Sequence, residues 1–212
     1  MRTKVKICGI TRLGDAHAVV RAGADALGLV FTHKSARNVD VETAAEISVQ
    51  VRGSLQRVGL FVNASASDVD AVLRQVELDV LQFHGDETGS YCEAFGMPFM
   101  KAIRMQTALD VAALEDEYRG ACCLLLDAYV QGEDGGTGTR FDLAFWPERA
   151  SKRLVLAGGL APDNVAEAVR RVHPYAVDVS GGVEGPIKGE KDPERVVRFI
   201  NEVKSVGSER PE

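Results

Sequence analysis

Several groups able to do chemistry each sit at the end of a short apolar run in this chain. Cys8 closes Val5–Cys8, and Asp127 follows Leu124-Leu125-Leu126. His84 closes Leu81-Gln82-Phe83-His84, Arg104 ends Phe99–Arg104, and Arg37 lies in the polar loop behind Phe31. A carboxyl group and a thiol reaching one substrate from separate strands could act as proton donor and proton acceptor. A strand cysteine is more often a small core hydrophobe, so Cys8 is the weaker signal. A carboxylate that halts a wholly apolar strand is the stronger one. His84 reads equally as a substrate contact or as a brace between loops. Arg37 offers a planar fork suited to a carboxylate, with Arg104 as its competitor for the same anion.

Two glycine pairs come late in the chain, Gly158-Gly159 and Gly181-Gly182, the second preceded by Ser180. Glycine lets phosphate oxygens approach backbone N–H groups that a side chain would shield. Two such turns after consecutive runs point to a phosphate site more than to ordinary turns. Gly135–Gly138, with Gly136 in it, is a third glycine-rich loop that reads as a cover over the ligand or, nearly as well, as a mobile linker. No set of histidines and carboxylates has metal-ligand spacing, and adjacent Cys122 and Cys123 do not form a CxxC pair. Cys92, Cys122 and Cys123 are expected to be buried, reduced thiols. No metal and no cofactor is expected.

These groups need a scaffold that gathers strand ends. Eight short apolar runs are spaced along the chain: Val5–Cys8, Ala26–Phe31, Gln56–Val62, Val80–His84, Phe99–Arg104, Cys122–Asp127, Arg153–Leu156 and Ala176–Ser180. Such near-continuous runs suit strands buried on both faces. Helical patterns lie between them. Asp40 caps the segment Val41–Val51, and Ser67 with Asp70 marks another start. Pro162 opens Asp163–Val172, and Asp192 precedes Pro193 at the last. Eight strand–helix repeats close a parallel α/β barrel whose active site lies at the carboxyl ends of the strands. An open doubly wound sheet would want GxGxxG after the first strand, where this chain has Cys8-Gly9-Ile10-Thr11. One domain over residues 1–204 is expected, with 205–212 a polar, fraying tail.

The 212 residues carry a net charge of -6 and no long basic run, which argues against nucleic acid or an anionic membrane as partner. No apolar stretch is long enough to span a bilayer, and Met1–Ile10 does not resemble a secretory leader. A cytoplasmic protein acting on a small molecule is expected, with a monomer the simplest state.

From end to end the chain resembles the phosphoribosylanthranilate isomerases. The segments that carry the likeness are Lys6-Ile7-Cys8-Gly9-Ile10-Thr11, Ser35-Ala36-Arg37, Val58–Asn63, Leu81–Gly85, Leu126-Asp127, Gly135–Gly138 with Phe141-Asp142, Leu156–Leu160, Asp178–Glu184 and Gly189–Asp192. Ala36 stands where the family usually has Pro, Leu143 where Trp commonly follows Phe-Asp, and Gly181 where Ser is frequent. The stretch Gly185–Glu190 also departs from the usual form.

The resemblance implies a single-domain (β/α)8 barrel of the ribulose-phosphate-binding type. It also implies an Amadori rearrangement of N-(5-phosphoribosyl)anthranilate in tryptophan biosynthesis. Asp127 would then be the general acid and Cys8 the general base. Arg37, His84 and Asp178 would contact substrate, and Gly136, Gly158, Gly159, Ser180, Gly181 and Gly182 would hold its phosphate. At neutral pH an ordinary aspartic acid (pKa about 3.9) is ionised and an ordinary thiol (about 8.5) is protonated. Burial helps the first group toward its acid form and hinders the second from its basic one.

Related phosphosugar barrels fit less well. An indole-glycerol-phosphate synthase would want a catalytic lysine and a longer lead-in, and a ribulose-phosphate epimerase would want metal-ligating His and Asp residues. A silent, metabolite-binding barrel would lack the acid or the base.

Overall fold

The computed structural model describes residues 2–105, 110–127 and 145–208. Its strands are β1 Lys4–Cys8, β2 Ala26–Val30, β3 Gln56–Phe61, β4 Val80–Phe83, β5 Phe99–Arg104, β6 Cys123–Asp127, β7 Arg153–Ala157 and β8 Ala176–Val179. Its described helices are α1 Leu13–Ala22, α2 Val41–Gln50, α3 Ala66–Leu73, α4 Gly89–Glu93, α5 Val111–Glu117, α6 Val165–Val172 and α7 Pro193–Ser208, with a 3-10 turn at Gly181–Val183. All neighbouring strands are parallel, and β8 pairs back onto β1 with Lys6 opposite Asp178. That closure removes both sheet edges and excludes the open sheet.

Strand alternation decides which side chains reach the site, because successive residues point to opposite faces. In β1, Val5 and Ile7 join the apolar layer under the helices, which leaves Lys6 and Cys8 facing the barrel axis. In β6, Leu124 and Leu126 join that outer layer while Cys123 and Leu125 fill the barrel floor. The same parity turns Asp127 inward at the top. The floor is small and apolar, built from Ala26, Val58, Val80, Met100, Leu125 and Val155 among others. Above it the interior turns polar.

The outer helices follow from their apolar stripes. α7 buries Val196, Phe199, Ile200, Val203 and Val206, and packs against α1 and α6. Burying each such side chain stabilises the fold by about 1.5–3 kcal/mol. The helix runs to Ser208 with Val206 buried, so it overruns the point where the sequence suggests a polar tail.

Two helix starts differ from expectation. α3 is capped by Ser65, not Ser67: the Ser65 side chain accepts from Asp68 N–H at 3.2 Å, and Ser67 only exchanges a hydrogen bond with it. Ser65 and Ser67 each have an aspartate three residues on, so the pattern fits both. α6 starts at Val165, two residues after the expected Asp163, because Asn164 turns back to the loop. Its Oδ1 accepts from Ala161 N–H and its Nδ2 donates to Gly159 O.

Candidate active site

A cavity of about 420 Å³ opens at the carboxyl ends of the strands. Cys8, Arg37, His84, Asp127, Asp178, Gly158, Gly159, Ser180, Gly181 and Gly182 all line it, as does Arg104. The sequence-derived candidates therefore meet in one place, except Gly136, which lies outside the described residues.

The thiol is buried, and burial is the largest influence on it, pushing Cys8 above the ordinary thiol range. The opposing influence comes from Lys6, one step down the same inward face. A point where Gly28 would carry a Cβ lies 2.8 Å from Cys8 Sγ and 3.1 Å from Lys6 Nζ. Lys6 Nζ donates to Asp178 Oδ1 at 2.9 Å, and both residues are buried. Burial alone would drive Lys6 toward its neutral form. Asp178 and the thiolate of Cys8 outweigh burial and hold the ammonium charged, above its ordinary value. Asp178 is pushed up by burial, with Lys6 pulling it down.

The carboxylate of Asp127 sits on a second polar chain. His84 Nε2 lies 3.1 Å from Asp127 Oδ2, and Gln82 Nε2 lies 3.2 Å from His84 Nδ1. As placed, Gln82 donates to Nδ1, so the proton of a neutral imidazole is on Nε2 and points at the carboxylate. Gln82 Oε1 is buried without a hydrogen-bond partner. Turning the amide over would let Oε1 accept from Nδ1–H and free Nε2 to accept a proton from Asp127. The amide orientation thus couples the His84 tautomer to the protonation of Asp127.

Arg37 is held by Glu184. Its Nε and Nη2 donate to the two carboxylate oxygens at 2.5 and 2.9 Å. Burial opposes the Glu184 carboxylate, but Arg37 and Lys191 outweigh it and keep Glu184 below the ordinary range. Lys191, itself pushed down by burial, donates to Glu184 Oε1 at 3.0 Å and Ser180 O at 3.2 Å. One edge of the Arg37 fork is thereby occupied, and the Nη1/Nη2 edge remains for another planar anion.

The two glycine loops pack backbone against backbone. A Cβ on Gly182 would sit 1.9 Å from Leu160 O, so no side chain fits there. Gly158 and Gly159 take φ of +89° and +59°, a region L residues rarely adopt. Ser180 Oγ donates to Cys8 O at 3.0 Å and ties the β8 loop to the end of β1.

The sequence reading did not single out Lys6, Gln82, Glu184 or Lys191 for a role. Only Lys6 left a usable signal: it is two residues before Cys8, hence on the same face of a strand. Among the described residues no group of three His, Cys, Asp or Glu side chains could hold a metal ion. No described helix is long and apolar enough to cross a membrane.

The model of the family N-(5'-phosphoribosyl)anthranilate (PRA) isomerase matches residues 5–202. The N-(5'-phosphoribosyl)anthranilate isomerase of Thiobacillus denitrificans is 52% identical over 205 residues, covering 97% of this chain and 100% of the relative. The crystal structure of phosphoribosyl anthranilate isomerase from Thermotoga maritima superposes with a TM-score of 0.87 at 40% identity, covering 96% of this chain and 99% of that one. A further structure of phosphoribosyl anthranilate isomerase is a complex with reduced 1-(o-carboxyphenylamino)-1-deoxyribulose 5-phosphate. It superposes with a TM-score of 0.82 at 37% identity, covering 96% and 99% of the two chains. With the inward thiol, the carboxyl group and the paired glycine loops at one mouth, these matches place the chain in the N-(5'-phosphoribosyl)anthranilate isomerase family.

Proposed function

We propose that the chain converts N-(5-phosphoribosyl)anthranilate to 1-(2-carboxyphenylamino)-1-deoxyribulose 5-phosphate, with Asp127 as acid and Cys8 as base. The observation that carries this reading is the meeting of both groups in one cavity, each with its own partner. The thiol has Lys6 beside it, and the carboxyl group has His84. Protonated Asp127 gives its proton to the ring oxygen as the C1′–O bond breaks, and the nitrogen lone pair forms the iminium. Cys8 thiolate then takes the proton from C2′, leaving an enolamine that tautomerises to the ketone. His84 stands ready to return a proton to Asp127. A turnover assay with purified substrate tests the whole reading, and a folded protein with no turnover sinks it.

The substrate phosphate sits between the loops after β7 and β8, at backbone N–H groups near Gly159, Gly181 and Gly182, with Ser180 alongside. The support is the tight contact of Gly182 with Leu160. Gly182→Ala should force the loops apart. The KM for substrate and the affinity for inorganic phosphate should both weaken by at least about tenfold, roughly 1.4 kcal/mol. Unchanged phosphate binding would move the site elsewhere.

The anthranilate carboxylate takes the Nη1/Nη2 edge of Arg37, which Glu184 aims by holding the other edge. An ammonium cannot serve two carboxylates with two parallel forks. Arg37→Lys should therefore lower kcat/KM by about tenfold to a hundredfold, within the range for losing charge-assisted hydrogen bonds. A near-normal kcat/KM would hand the role to Arg104.

A further inference from the structure

Cys122 and Cys123 lie at the opposite end of the barrel from the catalytic mouth. Both line a second cavity of about 190 Å³, bounded by the first residues of several strands, among them Lys4, Gln56, Arg153 and Ala176. Neighbouring residues of an extended strand normally point apart. Here Cys122 precedes β6, and its Sγ comes within 3.8 Å of Cys123 Sγ. Cys122 is exposed, against the expectation that it is buried, because it sits on the rim before the strand enters the barrel. Cys123 is buried in the floor layer, as is Cys92 under the helices. The two sulfurs thus form a dithiol with one open side.

We propose that Cys122 and Cys123 form a chelating site for trivalent arsenicals, using both sulfurs on one arsenic. Two bonds of about 2.3 Å, the length of a zinc–thiolate bond, span sulfurs about 3.3–3.8 Å apart for angles between 90° and tetrahedral. The observed separation is at the upper end of that range. A disulfide would instead need the sulfurs to close to about 2.0 Å. The backbone resists that closure, since Cys122 N–H donates to Phe99 O at 2.8 Å and Cys123 is in register with Met100 and Arg153. A lone zinc ion would want further protein ligands, and no described group of three supplies them.

The pair is chemically primed. The contact with Cys123, with Arg153 nearby, brings the Cys122 thiol below its ordinary range against the effect of burial. Cys122 is the exposed sulfur of the pair, so its thiolate attacks first. With an arsenoso compound, R–As=O, two As–S bonds form and the As=O bond is lost. The oxygen leaves as water with the two thiol protons, and no oxidant or reductant takes part. The open cavity beside Cys122 leaves room for the substituent on arsenic.

Phenylarsine oxide is the probe, followed by intact mass and peptide mapping on the full chain. One equivalent should bind, survive a wash with excess monothiol, and leave on adding a small dithiol. Cys122→Ser and Cys123→Ser should each lower the arsenical retained after the monothiol wash at least tenfold. Cys122→Ser should keep turnover within twofold, which reports that the barrel is intact. Retention by either serine variant, loss from the parent in the monothiol wash, or an adduct mapped to Cys8 or Cys92 would overturn the proposal.

Discussion

Cys8→Ala and Asp127→Asn should each lower kcat at least about a hundredfold, the lower bound for removing a general acid or base. The fold should survive both changes. Cys8 packs with Val30 and Leu60, and Val62 against them, in a small cluster at the top of the barrel, so losing one sulfur atom leaves little cavity. Asparagine at 127 can still accept from His84 Nε2 through its amide oxygen, which preserves the contact now seen at 3.1 Å. What it loses is the proton needed at the ring oxygen. Cys8→Ser should also be poor, since an alcohol hardly reaches its anionic form near neutral pH. The measurements are kcat with purified substrate, a thermal unfolding curve and inorganic phosphate affinity. If folded Cys8→Ala keeps most of its turnover, the thiol is packing, and His84 is the next base to test.

Strand ends were readable because a closed parallel barrel converts a simple pattern into position. A polar residue that ends an apolar run, on the inward parity, must stand at the mouth, and Cys8 and Asp127 obey that rule. The glycine pairs were readable for a related reason, since Gly182 abuts Leu160 O where no Cβ fits. The supporting groups were harder to see. Lys6 reads as a charge interrupting an apolar strand until β8 closes onto β1 and brings in Asp178, 172 residues away. Glu184 and Lys191 acquire their meaning only when Arg37 folds over from the β2 loop. Helix starts slipped where two competing caps fit one pattern, at Ser65 and Ser67. Cys122 misled because a reduced cysteine is by default a small buried hydrophobe and the apolar run begins at it, although it lies one residue outside the strand.

The buried lysine supplies the second large effect. Lys6 favours the thiolate of Cys8, so it lowers the pH at which Cys8 gives up its proton. Taking its charge away must raise that pH. An opposite charge close to a titrating group is worth about one to three pKa units. Lys6→Met should therefore move the rising limb of the kcat/KM profile upward by about one unit or more, since that limb reports the base in the free enzyme. Near neutral pH, kcat/KM should fall at least about tenfold, since each unit is a factor of ten in thiolate. Lys6→Met alone also strands Asp178, and breaking a buried ion pair costs about 3–5 kcal/mol. The double variant Lys6→Met/Asp178→Asn removes both charges and should recover much of the lost Tm. It should recover only part of the limb's shift, because Asp178, which itself pushes the thiol up, goes with Lys6, while the larger influence of Lys6 is still missing. A lysine that only held the barrel together would lower Tm and leave the limb in place. If the double variant regains its stability and its profile rises at the parent's pH, Lys6 acts as packing and the thiolate draws its support from elsewhere, with Lys191, which also favours it, the next cation to test.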